Sequence, residues 1–196
     1  MSESLKQIRI AFVLLVILTL LTGLIYPLLV TGIAQLIFPW QANGSLIKYK
    51  GKIIGSSLIG QSFSDSRYFW GRPSATTPFP YNAANSSGSN MGPSNADFLT
   101  QVKDRVHHFK TTHPDIHLVP VDLVTASGSG VDPEVSPLAA YAQIQRIAKA
   151  RNMSEKEVRR LIDAHIQSRT FKVLGEPRVN VLQLNLALEK LQEKND

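Results

Sequence analysis

The stretch Ile10–Trp40, IAFVLLVILTLLTGLIYPLLVTGIAQLIFPW, decides the architecture of this chain. No charged residue occurs between Arg9 and Lys48. A helix needs about 20 predominantly apolar residues to cross a hydrocarbon core of about 30 Å. Because a bilayer offers no water to backbone N–H and C=O groups, such a run must be helical if it inserts. The sequence therefore predicts one transmembrane helix, crossing over about residues 10–30, within an N-terminal tail and anchor of residues 1–40.

Two features refine this anchor. Pro27 lacks an N–H and its ring clashes one turn back, so we expect a kink or a helix end near Tyr26. Thr19 and Gly23 lie one turn apart, and small residues at that spacing let another helix approach closely. The apolar region of a cleaved signal peptide covers only about 7–15 residues. We therefore expect the helix to be retained, with Thr19 and Gly23 as partner-interface candidates.

The composition excludes several function classes. The anchor contains no ionisable residue of the kind that marks ion pathways, so it is not predicted to conduct ions. The net charge of +6 is spread along the chain without a basic run, and we expect no nucleic-acid partner. The chain has no cysteine, which removes disulfides and zinc–thiolate sites. We predict no metal site, although histidines occur at positions 107, 108, 113 and 117.

Residues 41–196 are long enough for one domain with its own core. Their periodicity predicts a mixed, helix-rich α+β soluble domain. A strand or hairpin is expected over Ile53–Ile59 and a second strand over His117–Thr125. Capping patterns predict helices that start near Ser94, at Ser136-Pro137, at Ser154 with Glu157, and at Asn180. The helix after Ser136 is expected to run to about Arg151, and the alternating leucines after Asn180 would also suit a strand.

Three polar or aromatic segments are candidate sites. The aromatic and basic cluster after Gln61 could anchor a protein interface or pack inside the domain; Tyr68, Trp70 and Arg72 are its candidates. The segment Pro73–Asn95, which includes Asn90, is either disordered or a functional loop. Its part Ser86–Asn95 is expected to be ordered in an assembled complex. The turn Ala126–Pro133 lacks phosphate-loop and nucleophile-elbow patterns, which favours a plain turn over a nucleotide site or a hydrolase using Ser127 or Ser129.

Taken together, these segments resemble the C chain of the bacterial potassium-transporting P-type ATPase complex. The resemblance rests on an ordered set of blocks, each weak by itself and specific as a series. The blocks are GSSLIGQSF (55–63), YFWGRPS (68–74), GSNMGPSN (88–95), VDLVTASGSG (121–130) and GEPRVNV (175–181). With the N-terminal anchor they cover nearly the whole chain.

The resemblance implies a non-catalytic accessory subunit, consistent with the absence of a DKTGT-type phosphorylation motif. Its implied partners are a potassium-channel-like subunit, a P-type ATPase subunit and the lipid bilayer. ATP and potassium would be handled through the complex, and the family is described as a catalytic chaperone that raises the ATP affinity of the ATPase subunit. Gln61 is the one weak candidate for a nucleotide-linked role, and a turn residue is the competing interpretation.

The side of the membrane is not settled by charge. Lys6 and Arg9 precede the anchor and three lysines follow it, so the positive-inside count is ambiguous. The resemblance implies a cytoplasmic N-terminus in the inner membrane and an extracytoplasmic domain over residues 41–196. The alternative function is a membrane-anchored extracytoplasmic binding module unrelated to transport.

Overall fold

The computed structural model describes residues 3–195, which form two compact units that divide after Leu46. The helices are α1 (Glu3–Leu20), α2 (Tyr26–Ile37), α3 (Pro39–Ala42), α4 (Ala96–Thr112), α5 (Pro137–Tyr141), α6 (Ile144–Arg151), α7 (Glu155–His165) and α8 (Val181–Asn195). The strands are β1 (Leu46–Tyr49), β2 (Lys52–Ser56), β3 (Glu134–Val135) and β4 (Val179–Asn180). This arrangement confirms the predicted fold class, a single apolar N-terminal helix followed by a helix-rich α+β domain.

The first unit consists mainly of one helical rod. Glu3–Ile37 runs for 35 residues without a buried position, and it is the one helix among residues 3–195 that is long and apolar enough to cross a membrane. The break comes at Phe38, whose φ of −129° and ψ of 55° leave the helical region before Pro39. Residues Pro39–Ala42 then form the single turn α3, and the Trp40 indole donates to the Leu46 carbonyl.

Pro27 acts on this rod through a wider helical turn instead of ending the helix. A π-helical turn, Leu21–Ile25, separates α1 from α2, and the Tyr26 N–H donates to the Leu21 carbonyl five residues back. Because proline cannot donate and its ring crowds the carbonyl of residue i−4, the insertion of a wider turn satisfies the neighbouring groups. Of the two alternatives expected near Tyr26, a kink or a helix end, the helix does not end there, and a π-helical turn disturbs it just before that residue.

A hairpin follows α3, and it overlaps only part of the stretch Ile53–Ile59 that was predicted as a strand or hairpin. Its second strand, β2, covers residues 52–56, whereas its first strand, β1, lies before that stretch. Strands β1 and β2 pair into a two-stranded sheet. Lys50 and Gly51 both have positive φ, of 48° and 78°. Two residues with positive φ give the primed turn that matches the right-handed twist of the strands.

Helices α5 to α8 enclose the core of this unit. Helix α7 packs against α5, α6 and α8, and β3 pairs antiparallel with β4 so that Val135 faces Val179. The largest fully buried apolar side chains come from several elements: Phe69, Ile147, Val158, Ile162, Val179, Leu184 and Leu188. Most of the core therefore comes from the second half of the chain, and Phe69 is its principal early member.

The capping signals located most helices correctly. Ser136 accepts a hydrogen bond from the Ala139 N–H, Ser154 and Glu157 form a complete capping box, and Asn180 accepts from the Gln183 N–H. Helix α4 begins one residue later than the Ser94 pattern indicated, because Asn95 is its N-cap and accepts from Asp97 and Phe98. The leucine alternation after Asn180 belongs to helix α8.

Two sequence expectations are wrong. His117–Thr125 contains no strand; Val121–Leu123 forms a 3₁₀ turn whose start follows Pro120, and the Asp122 carboxylate accepts the Ser136 N–H. The helix expected from Ser136 to Arg151 is broken at Ala142–Gln143, where the Gln143 N–H bonds three residues back to Ala140. This break turns the Gln143 side chain into the domain interior, where it is fully buried.

Candidate functional site

The aromatic segment, residues 66–72, runs through the domain without pairing as a strand. Its backbone groups are bound by side chains from distant helices. The Gln143 amide accepts the Trp70 N–H at 2.8 Å and donates to the Trp70 carbonyl at 3.1 Å. The Asn185 amide does the same for Phe69, at 2.8 and 3.0 Å. Because buried backbone groups must find partners, these two amides replace the strand that would otherwise satisfy them.

Two buried arginines hold the start of the segment. Arg146 donates to the backbone carbonyls of Ser66 and Tyr68. It also donates to the side-chain oxygen Oε1 of Gln143 at 2.7 Å and to His113 Nε2 at 2.9 Å. Its guanidinium carbon lies 4.1 Å from the centre of the Trp70 ring. Burial lowers the pKa of Arg146 to about 10, yet the group stays charged at neutral pH. Carbonyl oxygens and an aromatic face therefore compensate this cation.

Arg151 fixes the same segment from the end of α6. Its Nε donates to the Arg67 carbonyl at 2.7 Å, and its Nη2 forms a 2.5 Å ion pair with Glu189 of α8. The Arg151 side chain is only 2% exposed and lies over the Tyr68 ring at 4.9 Å. Removal of Glu189, which is itself 33% exposed, would leave the buried Arg151 charge without its carboxylate partner and so destabilise the domain.

His113 completes the network as a neutral acceptor. Its Nε2 accepts from Arg146, so Nδ1 carries the proton and donates to the Phe109 carbonyl at 3.0 Å. Burial, together with the nearby Arg146 charge, lowers the pKa of His113 to about 4. The His113 ring stacks on Phe109 at 3.9 Å and meets the edge of Trp70. This histidine is thus a structural member of the network.

Beside the aromatic segment lies a cavity of about 480 Å³. Its walls combine aromatic rings with charged groups and include Phe63, Trp70, Arg72, Tyr81, Asp104, Arg105, His108 and Phe109. Arg72 pairs with Asp132 at 3.1 Å and donates to the Ala126 carbonyl at 3.3 Å. Arg105 donates only to neutral groups among the described residues, the Val124 carbonyl and the Gln101 amide, and burial lowers its pKa.

Tyr81 lines this cavity and contacts residues of two of the sequence blocks, 55–63 and 68–74. Its hydroxyl donates to the Arg72 carbonyl at 2.5 Å, and burial with the nearby Asp132 charge raises the pKa of Tyr81 to about 12. A Cβ on Gly60 would lie 2.5 Å from the Tyr81 ring, and one on Gly71 would lie 2.8 Å from its hydroxyl. Both glycines are therefore required by the tyrosine that packs on them.

The serine-rich turns pack on one another and show no nucleophile geometry. Ser127 is 5% exposed, and its hydroxyl accepts the Gly130 N–H. The Ser129 hydroxyl accepts the Val131 N–H, while the Ser86 hydroxyl donates to the Ser129 carbonyl. A Cβ on Gly88 would lie 2.9 Å from the Gly128 carbonyl. These contacts give the serines a structural use and provide no support for a hydrolase.

The structure places the remaining predicted site residues in separate locations. Tyr68, Trp70 and Arg72 lie together in the aromatic segment, whereas Asn90 is exposed, with a φ of 52°. The Gln61 amide donates to the Ile54 carbonyl at 2.7 Å and lies directly over Gly55, which supports its interpretation as a turn residue. Thr19 and Gly23 belong to the first unit, where a Cβ on Gly23 would meet no atom within 4 Å.

Sequence reasoning missed Gln143, Arg146, Arg151 and Asn185, which hold the aromatic segment. A signal for them exists: polar residues occupy positions on otherwise apolar helix faces, as Asn185 does one turn from Val181, Leu182 and Leu188. Buried polar side chains of this kind are almost always hydrogen-bonded. Their partners, however, lie far away in the sequence.

Within residues 3–195, one long apolar helix joined to a helix-rich α+β domain defines the class of this protein: a domain carried on a membrane anchor. The chain belongs to the family described as the K⁺-transporting ATPase c chain, KdpC, whose model matches residues 8–190.

Several curated proteins of this family are similar over almost their whole length. The potassium-transporting ATPase KdpC subunit of Rhodopseudomonas palustris (strain BisB18) is 56% identical, with 94% of this chain and 98% of the relative covered. The KdpC subunit of Bradyrhizobium diazoefficiens is 53% identical, over 97% of this chain and the whole relative. The KdpC subunit of Methylococcus capsulatus is 56% identical, with 93% and 96% covered.

Proposed function

We propose that this chain is a non-catalytic accessory subunit of an ATP-driven potassium uptake complex. The observation that carries the proposal is the family match over residues 8–190, which includes both the anchor and the domain. The anchor supports it, because an apolar run without Asp, Glu, Lys, Arg or His from Ile10 to Trp40 offers a docking element and no ion pathway. The partners are a potassium-channel-like subunit and a P-type ATPase subunit.

The domain itself supports an assembly role. Its conspicuous polar side chains, Gln143, Arg146, Arg151 and Asn185, are occupied by the backbone of the aromatic segment. The hydroxyls of Ser127 and Ser129 accept hydrogen bonds from backbone N–H groups within a turn. Such a network makes a rigid body that can present loops to a partner.

The same proposal gives the chain an effect on ATP use. The subunit raises the affinity of the ATPase subunit for ATP by favouring one conformation of the complex. With the domain outside the membrane, the effect must be a coupling between two sites, since ATP binds on the cytoplasmic side. A coupling of typical size changes the affinity about 5- to 150-fold.

The experiment compares the complex purified with and without this chain in detergent. With the chain present, we expect potassium-stimulated ATP hydrolysis at a lower apparent KM for ATP. A matched control restores a variant with the exposed substitution Lys149→Gln, which should behave as the parent does. An identical KM in the presence and absence of the chain would contradict the chaperone role, and failure to co-purify would contradict the subunit assignment.

The proposed orientation places the N-terminus in the cytoplasm and the domain outside the inner membrane. The chain has no cysteine, so one introduced thiol reports its own location. Lys156 is exposed at the start of α7 and suits the purpose, whereas Asn152 has a left-handed φ of 53° that cysteine adopts poorly. Lys156→Cys should react with a membrane-impermeant thiol reagent once the outer barrier is opened. Reaction only after rupture of the cytoplasmic membrane would reverse the orientation.

A further inference from the structure

A short hairpin after α7 carries an apolar end. Isolated antiparallel bridges pair Gln167 with Arg178 and Thr170 with Leu174. The Thr170 N–H donates to the Leu174 carbonyl at 2.9 Å, and the reverse bond has the same length. We call residues 170–174 the hairpin tip. The last sequence block, 175–181, leads from this tip back to β4 and α8.

The hairpin tip exposes three large apolar side chains within four consecutive positions. Phe171 is 86% exposed, Val173 72% and Leu174 60%. Single exposed apolar residues are ordinary, but contiguous ones mark surfaces that bind something. Large apolar side chains are exposed elsewhere in the domain as well, among them Leu118 at 88%, Leu138 at 67% and Phe79 at 56%, but none of these is one of three within four positions.

The tip is held in a defined conformation. Phe171 and Lys172 both have left-handed φ values, of 53° and 64°. Non-glycine residues enter this region at a cost, which is common at binding surfaces. Arg169 and Glu176 form a 2.5 Å ion pair across the hairpin, and Arg178 bonds to Glu134 of β3 at 2.9 Å. A surface fixed in advance loses less entropy when it binds.

The charge and composition of the hairpin tip indicate which kind of surface binds it. Among residues 3–195 no carboxylate pairs with Lys172, and the Arg169–Glu176 pair cancels itself, so the tip presents one positive charge. A lipid surface is poorly matched, because lipid recognition uses clusters of four to eight basic residues and interfacial Trp or Tyr. A second copy of the tip would bring a like charge against Lys172, which disfavours a symmetric contact.

We propose that the hairpin tip docks into an apolar recess with a carboxylate at its rim on another subunit of the transport complex. This inference rests on the proposed function. Phe171 fills the recess as the anchoring aromatic residue, and Lys172 meets the acidic rim. Buried aromatic anchors of this kind carry most of the binding energy of an interface.

The first test measures assembly of the full chain with its partner subunits. Phe171→Asp should weaken association about tenfold or more, the loss typical of an anchoring residue. The matched control is Leu118→Asp, which alters a side chain that is 88% exposed elsewhere in the domain and should assemble normally. Lys172→Glu should slow association, most strongly at low salt. Normal assembly of Phe171→Asp would overturn the proposal, whereas failure of the unaltered chain to assemble would overturn the proposed function.

The second test identifies the occupant. Val173→Cys supplies the only thiol in the chain for an environment-sensitive fluorophore, and it leaves Phe171 in place. A blue shift that requires the partner subunits supports the proposal. A blue shift of the chain alone in nanodiscs of phosphatidylethanolamine and phosphatidylglycerol, or one that grows with chain concentration in detergent, would overturn it in favour of lipid or self-association. An unshifted spectrum in the assembled complex would overturn it as well.

Discussion

The amide of Gln143 forms hydrogen bonds to both backbone groups of Trp70, in a position where a neighbouring strand would normally supply them. Gln143→Met keeps a similar volume and removes these bonds. We expect a loss of about 2–4 kcal/mol in the free energy of unfolding, since two buried backbone groups lose their partners. Denaturant unfolding in detergent measures this loss. Gln167→Met is the control: this side chain is exposed and makes no hydrogen bond within the described residues, so the variant should stay within about 0.5 kcal/mol of the parent.

His113 makes the stability depend on pH with a definite sign. Its pKa in the folded protein is about 4, below the ordinary value of 6.5, so the unfolded chain binds the proton more readily. The stabilisation is fully present above pH 6.5 and is lost as the pH falls towards 4, by about 1–3 kcal/mol. His113→Gln should flatten this part of the stability profile. The exposed His107→Gln should retain the slope, and equal slopes in all three proteins would contradict the assignment.

Gly60 and Gly71 pack against Tyr81, and substitutions at these glycines test how Tyr81 packs on the aromatic segment. A Cβ at position 71 would meet the Tyr81 hydroxyl oxygen at 2.8 Å and its next neighbour only at 3.8 Å. Gly71→Ala should therefore cost about 1–3 kcal/mol alone and less in a Tyr81→Phe background, where that oxygen is gone. A double-mutant cycle should give a coupling of about 1 kcal/mol.

Gly60 is the control for this cycle. Its Cβ would meet a ring carbon of Tyr81 and the Asp132 carbonyl, both at 2.5 Å, and both atoms remain in Tyr81→Phe. Gly60→Ala should thus show no relief in that background. Equal coupling at the two glycines would mean that the hydroxyl contact does not explain the requirement for Gly71.

For the transmembrane helix we predict an effect on assembly with partner helices, without an effect on the folding of this chain. A Cβ on Gly23 meets no atom of this chain within 4 Å, so Gly23→Leu introduces no clash within the subunit. If the Thr19 and Gly23 face packs on a partner helix, this substitution should reduce the yield of assembled complex strongly, whereas Leu18→Ile should not. Equal yields from the two variants would remove this face from the interface.

Local chemistry made several elements predictable and left others hidden. The anchor follows from an uncharged apolar run, and α7 follows from the Ser154 and Glu157 capping box, because both signals are contained within a few turns. The break before α6 is not local: Gln143 turns inward to reach Trp70, 73 residues away. Asn185 reaches Phe69 across 116 residues. Periodicity within a window cannot foresee such pairings, so the side chains that hold the aromatic segment were missed.

At the scale of the whole molecule, the core predicts that the domain is independent of its anchor. Every buried core residue among those described lies between Phe69 and Leu188, so the residues before position 41 contribute none. A chain of residues 41–196 should therefore be soluble and unfold cooperatively, as a single small domain does. Its melting temperature should lie within a few degrees of the value for the domain in the full chain. Circular dichroism with calorimetry provides the measurement, and a non-cooperative or aggregating product would show that the anchor is needed for folding. Because the domain without its helix lacks the membrane contact, it should also bind the partner subunits more weakly than the full chain, by the effective concentration that the anchor supplies.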